Sequence, residues 1–91
     1  MGRVALDNGF FRARWHRATR AEQRYLRAMS SDGDAGSSTG EVATRLGRGT
    51  NSLGHARAKL ISHGLIYAPE HGIVAFTVPG MADFIQRQPE P

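Results

Sequence analysis

Two short helices joined by a tight, glycine-containing turn are the feature of this sequence that most limits its possible folds. Residues 38–41, Ser-Thr-Gly-Glu, match a capping box, and Val42, Ala43 and Leu46 follow at helical spacing before Gly47. After a turn at residues 48–50, the apolar positions of residues 51–63 recur at helical spacing: Leu53, Ala56, Leu60 and Ile61. The pattern predicts a helix-turn-helix unit.

A further helix is predicted ahead of this unit. Residues 19–22, Thr-Arg-Ala-Glu, form another capping box, so a helix is expected to begin near Arg20, to carry an apolar stripe that includes Leu26 and Met29, and to end at Ser30. Residues 30–38 contain only Ser, Gly, Asp and Ala, which predicts a flexible loop.

A β-hairpin and a last helix are predicted after the helix-turn-helix. Residues 65–67 are apolar, residues 69–72 are typical of a turn, and residues 74–78 alternate with period two. Pro79 suits the first turn of a helix whose apolar face is Met81, Phe84 and Ile85. The order helix, helix, helix, hairpin, helix predicts a mostly α fold with a small β-hairpin (α+β), a winged helix-turn-helix.

The first residues predict an additional helical segment. Within residues 4–15, Leu6, Phe10, Phe11 and Trp15 are spaced to share one side of a helix, and Gly9 limits the prediction to one or two turns. The length of 91 residues predicts a single domain, with a lead-in at residues 1–18, a body at 19–87 and a tail at 88–91. The absence of heptads favours a monomer.

Composition argues against several functional classes. There are no cysteines, no apolar run of about 18 residues that would span a bilayer, and no secretory leader, so we expect a cytoplasmic chain without membrane contact. The four histidines show no H-x-x-x-H spacing, and neither a G-x-S-x-G turn nor a carboxylate pair in an apolar setting occurs. We therefore expect neither a metal, nor a cofactor, nor an enzyme activity.

Four strings carry a resemblance to a known family. They are L-D-x-G-F-F-x-x-R at residues 6–14, T-x-x-E-x-x-Y-L-x-A-M at 19–29, R-x-x-L-I-x-x-G-L-I-Y-x-P at 57–69 and A-F-T-V-P at 75–79. Together they resemble the C-terminal winged-helix domain of bacterial AAA+ ATPases related to origin-recognition initiator proteins. The resemblance implies a DNA-binding or regulatory role and an ATPase module ahead of this domain. No P-loop occurs here, so any nucleotide site is expected in residues that this chain does not contain.

Charge favours a polyanionic partner, with double-stranded DNA as the leading hypothesis. The net charge is +4, and 11 of the 12 Lys and Arg residues are arginine. If residues 51–63 enter a major groove, the residues opposite the Leu53 stripe read the DNA, with Asn51 suited to adenine and Lys59 to phosphate. The predicted DNA-binding residues are Arg20, Arg24, Arg48, Thr50, Asn51, Ser52, His55, Lys59 and Ser62. The other interpretation of these polar positions is an ordinary solvated helix face.

Arg57 and the N-terminal arginines are open to more than one interpretation. Arg57 lies about 40° from Leu53 around the helix, which predicts a structural residue paired with Glu41 or Glu22, with phosphate contact as the alternative. A basic cluster precedes and enters the first capped helix: Arg12, Arg14, His16, Arg17, Arg20, Arg24 and Arg27. The cluster is interpreted as a phosphate-binding surface, a solvated helix face, or a contact surface for the ATPase module.

A second hypothesis for the function is a protein-interaction or regulatory domain that docks on its own ATPase module. The predicted hairpin tip, residues 69–72, lacks the Lys or Arg that a wing commonly inserts into a minor groove, and Glu70 would be repelled by phosphate. A hairpin tip without basic residues, together with exposure of Phe10, Phe11 and Trp15, would favour docking on protein over binding to DNA.

Overall fold

A computed structural model describes residues 2–89 of the chain, and the side chains of residues 9–49 and 52–89. The helices are α1 (Gly2–Arg17), α2 (Arg20–Ser30), α3 (Thr39–Leu46), α4 (Thr50–Ser62) and α5 (Met81–Gln86), with a 3₁₀ helix at Gly33–Ala35. The strands are β1 (Ser37–Ser38), β2 (Ile66–Glu70) and β3 (Ile73–Phe76). The described part of the chain is thus mainly helical with a small antiparallel sheet, which confirms the predicted α+β class.

Helix α2 begins where its capping box predicts. The Thr19 hydroxyl accepts a hydrogen bond from the Glu22 amide at 3.1 Å, and the Thr19 amide donates to the Glu22 carboxylate at 3.0 Å. Two free donors of the first turn are satisfied in this way. The predicted stripe is also confirmed, since Leu26 and Met29 are buried in the core.

Helices α3 and α4 form the predicted pair. The Ser38 hydroxyl accepts from the Glu41 amide at 3.3 Å, and Gly47 adopts the left-handed conformation (φ 67°, ψ 30°) that ends α3. Only half of the expected capping box is formed, because the Glu41 carboxylate instead accepts from the Arg45 guanidinium at 3.0 Å. In α4, Leu60 is fully buried, and three apolar neighbours pack against the core partly buried: Leu53, Ala56 and Ile61.

The hairpin extends into a three-stranded sheet of order β1-β3-β2. The short strand β1 pairs with β3 at Ser37 and Val74, and was not predicted. The predicted alternation along β3 is wrong, because Val74, Ala75 and Phe76 are all buried. The chain at Gly36 covers the second face of the strand, where a Cβ would lie 3.6 Å from that of Ala75.

The predicted hairpin bounds also change. Pro69 and Glu70 belong to β2 rather than to the turn, which consists of His71 and Gly72. Pairing with β3 is irregular between Tyr67 and Glu70. Pro69 has no amide hydrogen for the ladder and is tolerated because β2 is an edge strand.

The segment predicted as a flexible loop is structured. It contains the end of α2, the 3₁₀ helix and β1. The Asp32 carboxylate in this segment accepts hydrogen bonds from the Ser37 hydroxyl at 2.7 Å and from the Arg45 guanidinium at 2.7 and 3.1 Å. Composition alone predicted a loop, whereas these polar side chains hold the segment against α3.

The first helix is longer than the predicted one or two turns. Helix α1 continues through Gly9 to Arg17, and its aromatic side chains pack on the body of the fold. The rings of Phe11 and Phe84 lie 5.6 Å apart between centroids, and the Arg27 guanidinium lies 5.5 Å from the Trp15 ring centroid. The side chain of Leu6, part of the same prediction, lies outside the described residues.

Helix α5, the last helix of the chain, packs against the core. It begins at Met81 rather than at Pro79, because Gly80 takes a positive φ of 94° as its N-cap and lies against the Phe11 ring. The predicted face is confirmed, since Met81, Phe84 and Ile85 are buried. None of the described helices has the length and apolar character needed to cross a membrane.

Candidate nucleic-acid interface

Helix α4 exposes four of the nine polar side chains that the sequence predicts to contact DNA. Ser52, His55, Lys59 and Ser62 are exposed, on the sides of the helix away from Leu53 and Leu60. At about 100° per residue, His55 and Ser62 point almost directly outward, while Ser52 and Lys59 turn toward α2. The side chains of Thr50 and Asn51 lie outside the described residues.

Five of the predicted residues line one cleft of about 460 Å³. The cleft, called here the basic cleft, lies between α4, the start of α2 and the end of α3, and these five residues are Arg24, Arg48, Ser52, His55 and Lys59. Three helices that are separate in sequence therefore bring their polar side chains to one surface. Ser62 is exposed beyond the cleft, at the end of α4.

Arg20 joins this surface through a neighbouring cleft of about 480 Å³ that shares Arg24 with the basic cleft. Two further arginines of that cleft are engaged within the protein: Arg27 donates to the carbonyls of residues 85 and 89, and Arg45 binds two carboxylates. By contrast, four cations of this surface form no ion pair with any residue that the structure describes: Arg20, Arg24, Arg48 and Lys59. Their charges are available to an external anion.

One acidic residue, Glu22, lines the basic cleft, and its carboxylate is committed to the protein. Glu22 is buried, and it accepts the amide hydrogen of Thr19 in the capping box. The positive end of the α2 backbone stabilises the carboxylate at this position. It is therefore not free to pair with the cations of the cleft, which leaves the surface available to a partner of opposite charge.

Arg57 differs from the prediction in its partner. It lies half-buried near the core side of α4, as its helical position predicts, and lines a third cleft with Tyr25 and residues of the hairpin. The expected pairing with Glu41 or Glu22 is wrong, because Glu41 binds Arg45 and Glu22 caps α2. Both acids found partners three or four residues away, which need no long loop closure.

Tyr25 is the residue that sequence reasoning missed. It lies on α2 beside the apolar stripe, and only 2% of its surface is exposed, yet it lines the same cleft as Arg57. Burial raises the pKa of the Tyr25 hydroxyl, and the nearby charge of Arg57 opposes that rise. No local pattern indicates that these two residues meet, because they come from different helices.

The arginines of α1 whose side chains the structure describes lie apart from these clefts. Arg12, Arg14 and Arg17 are exposed and line none of the three clefts. The Arg14 guanidinium lies 3.7 Å from the centroid of the Phe10 ring, which is 37% exposed. Phe11 and Trp15 pack into the core, so of the three aromatics whose exposure would favour docking on protein, only Phe10 reaches the surface.

The chain matches one protein-family model. This model, described as a domain of unknown function, DUF8462, matches residues 8–85. Comparisons with curated proteins and with solved structures give no match. The residues of the basic cleft, and Tyr25 and Arg57 in the third cleft, all lie inside the matched region.

Proposed function

The chain belongs to the DUF8462 family, whose description gives no activity, and we propose from the surface around α4 that it is a winged helix-turn-helix domain that binds double-stranded DNA. The observation that carries the proposal is that cations which form no ion pair with any described residue converge beside one exposed helix face. Arg24, Arg48 and Lys59 line the basic cleft, and Arg20 adjoins it.

The order of the elements supports the winged-helix assignment. Helix α2 is followed by the short strand β1, by the α3 and α4 pair, and by the β2 and β3 hairpin that pairs back onto β1. In this arrangement α4 is the recognition helix and the hairpin is the wing. The Thr39 amide donates to the Gly72 carbonyl at 2.9 Å, which ties the tip of the wing to the start of α3.

The exposed face of α4 suits the major groove of DNA, which is about 12 Å wide and admits one helix. In this geometry His55 reaches base edges, whereas Ser52 and Ser62 contact bases or phosphates. The flank that carries Lys59 and Arg48 follows the phosphates of one strand. Arg24 and Arg20 extend that contact along α2.

The wing contributes little to the affinity in this proposal. Residues 64–80 contain no Lys or Arg, and Glu70 is exposed beside the turn. A carboxylate at this position repels phosphate, so the contact is expected to be made by α4 and α2 on the opposite flank. The resemblance to AAA+ C-terminal domains adds that the DNA-binding surface is part of a larger ATPase.

The alternative function is docking on the ATPase module of the parent protein. Burial of Phe11 and Trp15 removes most of the exposed aromatic surface on which this alternative depended, and leaves Phe10. An apolar interface would depend weakly on salt, while a phosphate-binding surface loses affinity steeply as salt rises. Salt dependence therefore separates the two functions.

Fluorescence anisotropy with a labelled mixed-sequence duplex, at low and moderate salt, tests the proposal. We expect log Kd to rise linearly with log salt, by about 0.9 for each phosphate neutralised. Lys59→Gln is expected to weaken binding to every sequence and to lower that slope by about 1. Arg87→Gln is the matched control, because it removes one exposed cation from the end of α5, outside all three clefts.

Two outcomes would contradict the proposal. Equal losses in Lys59→Gln and Arg87→Gln would mean that net charge alone, and not the basic cleft, attracts DNA. No binding at low salt would exclude DNA as a partner of this chain and would favour the docking function.

A further inference from the structure

The third cleft, on the other flank of α4, has the features of a binding site for a small anion. It has a volume of about 650 Å³ and lies between α4, α2 and the β2 and β3 hairpin. Small-molecule sites in proteins are typically about 300 to 1,000 Å³, with apolar walls and a few polar groups. Here Leu53, Ala68 and Ile73 contribute apolar surface, and Tyr25 and Arg57 contribute hydrogen-bond donors.

Arg57 supplies the positive charge of the proposed site. Its side chain is half-buried, and no residue that the structure describes forms an ion pair with it. Removing a guanidinium from water is costly unless its donors find acceptors. A planar guanidinium offers paired donors that match the two oxygens of a carboxylate or a phosphate.

Tyr25 supplies the second donor. Only 2% of the residue is exposed, and its hydroxyl forms no hydrogen bond with any described residue although it lines the cleft. A phenol is protonated at neutral pH, and burial raises the pKa of Tyr25 further, so its hydroxyl is available as a donor. The hydroxyl is therefore open to the cleft, where an oxygen atom of a bound ligand can accept its hydrogen bond.

We infer that this Tyr25–Arg57 cleft binds one oxyanion, a carboxylate or phosphate group, with Arg57 supplying the charge and Tyr25 a second hydrogen bond. The site does not use the cations of the basic cleft and does not depend on the proposed DNA-binding function. Glu70 and His71 stand at its rim, both exposed. The Glu70 carboxylate limits the cleft to ligands whose negative charge reaches inward to Arg57, away from the rim.

The site is tested by NMR titration of the chain with inorganic phosphate and with acetate, at constant ionic strength. We expect saturable shifts of the Arg57 side-chain NH and of the Gly54 and Gly72 amides that line the cleft. Arg57→Gln is expected to weaken phosphate binding by at least about tenfold, the loss of one charged hydrogen-bonding group. Lys59→Gln, on the same helix but in the basic cleft, should leave it unchanged.

Tyr25→Phe separates loss of the site from loss of the fold. It keeps the buried ring and removes only the hydroxyl, so the chain should keep its dispersed amide spectrum while phosphate binding weakens by about threefold to tenfold. The inference is overturned if no shift saturates, if Arg57→Gln binds phosphate as the unmodified chain does, or if Lys59→Gln abolishes the shifts.

Competition identifies the source of the anion. A short duplex that displaces phosphate from Arg57 would assign the site to a backbone phosphate of DNA. If the duplex binds without displacing phosphate, the site belongs to a free small molecule, and the stronger of phosphate and acetate gives its chemical class. Either result supports an oxyanion site at Arg57.

Discussion

Asp32 shows how one side chain orders a segment whose composition predicts a flexible loop. Its carboxylate accepts two hydrogen bonds from Arg45 on α3 and one from Ser37 on β1. A guanidinium that binds both oxygens of a carboxylate fixes orientation as well as distance. The beginning of the connection between α2 and α3 is therefore tied both to β1 and to α3, which positions β1 for pairing with β3.

This arrangement predicts a pH-dependent stability. The Arg45 and Ser37 hydrogen bonds lower the pKa of Asp32, so its contribution is present above the unfolded-state pKa and is lost as the pH falls through the folded-state pKa. We expect Asp32→Asn to lower the free energy of unfolding at pH 7, and the difference from the unmodified chain to shrink below about pH 4. Urea unfolding at a series of pH values measures both.

Asp83→Asn is the matched control for this prediction. Asp83 pairs with Arg87 at 3.5 Å on the exposed side of α5, with most of its side chain in water. Exposed pairs of this kind contribute little, so the variant should change stability less than Asp32→Asn does at neutral pH. A difference for Asp32→Asn that stays constant through the acid range would show that the charge of the carboxylate does not stabilise the fold.

At the scale of elements, α1 is attached to the rest of the fold by aromatic packing. Phe11 contacts Phe84 of α5 and covers Gly80, while Trp15 lies under the Arg27 guanidinium and its carbonyl accepts a hydrogen bond from Gln23 at 2.7 Å. The helix is thus part of the core rather than an appended segment. Its contribution to stability should be concentrated in its buried aromatic side chains.

Two adjacent phenylalanines test this attachment. Phe11 is 2% exposed and Phe10 is 37% exposed. Phe11→Ala is expected to lower the free energy of unfolding by about 3 to 5 kcal/mol through the cavity that it leaves. Phe10→Ala should cost less than about 1 kcal/mol, because an exposed ring with one cation contact loses little. Urea unfolding measures the free energy of unfolding of both variants. If Phe11→Ala does not fold, Phe11→Leu, which keeps most of the side-chain volume, takes its place. Similar losses of stability for the Phe10 and Phe11 variants would contradict the attachment of α1 through Phe11.

How well an element could be predicted from sequence depended on how local its determinants are. The start of helix α2 could be predicted because it depends on hydrogen bonds between Thr19 and Glu22, which lie within one turn of each other. The strand β1 consists of two serines, and its pairing with β3 depends on Val74, far along the chain. The alternation of apolar residues cannot predict β1, because β1 contains no apolar residue. The strand β1 and the burial of Ala75 could therefore be found only from the tertiary structure.

The same distinction applies to the candidate sites. Helical geometry placed Lys59 and Arg57 on different sides of α4, and the structure agrees. The approach of Arg24 to Lys59 and of Tyr25 to Arg57 depends on how α2 packs against α4, which helical spacing does not determine. The predicted partner of Arg57 was wrong for a related reason. Glu22 and Glu41 form hydrogen bonds with residues close to them in sequence, Thr19 and Arg45, instead of with Arg57.

At the scale of the whole molecule, α4 divides a basic flank from a flank that carries an acidic group. Arg24, Arg48 and Lys59 line the cleft on one side, and Glu70 stands on the rim of the cleft on the other. With a net charge of +4, this asymmetry orients the chain toward a polyanion before contact. On the second flank, the Glu70 carboxylate disfavours a polyanion, so we expect the Tyr25–Arg57 cleft to bind a ligand with a single anionic group.

A double variant decides whether the two flanks are independent. Arg57 and Lys59 are two residues apart, so their directions around α4 differ by about 200°. We expect Arg57→Gln with Lys59→Gln to show the duplex affinity of Lys59→Gln alone and the phosphate affinity of Arg57→Gln alone, within about 0.5 kcal/mol, because sites without shared partners are additive. Anisotropy with the duplex and the phosphate titration give the two affinities. If instead each single variant weakened both ligands, and the double variant were no weaker than either, the two clefts would form one anion-binding surface, and the separate oxyanion site would have to be abandoned.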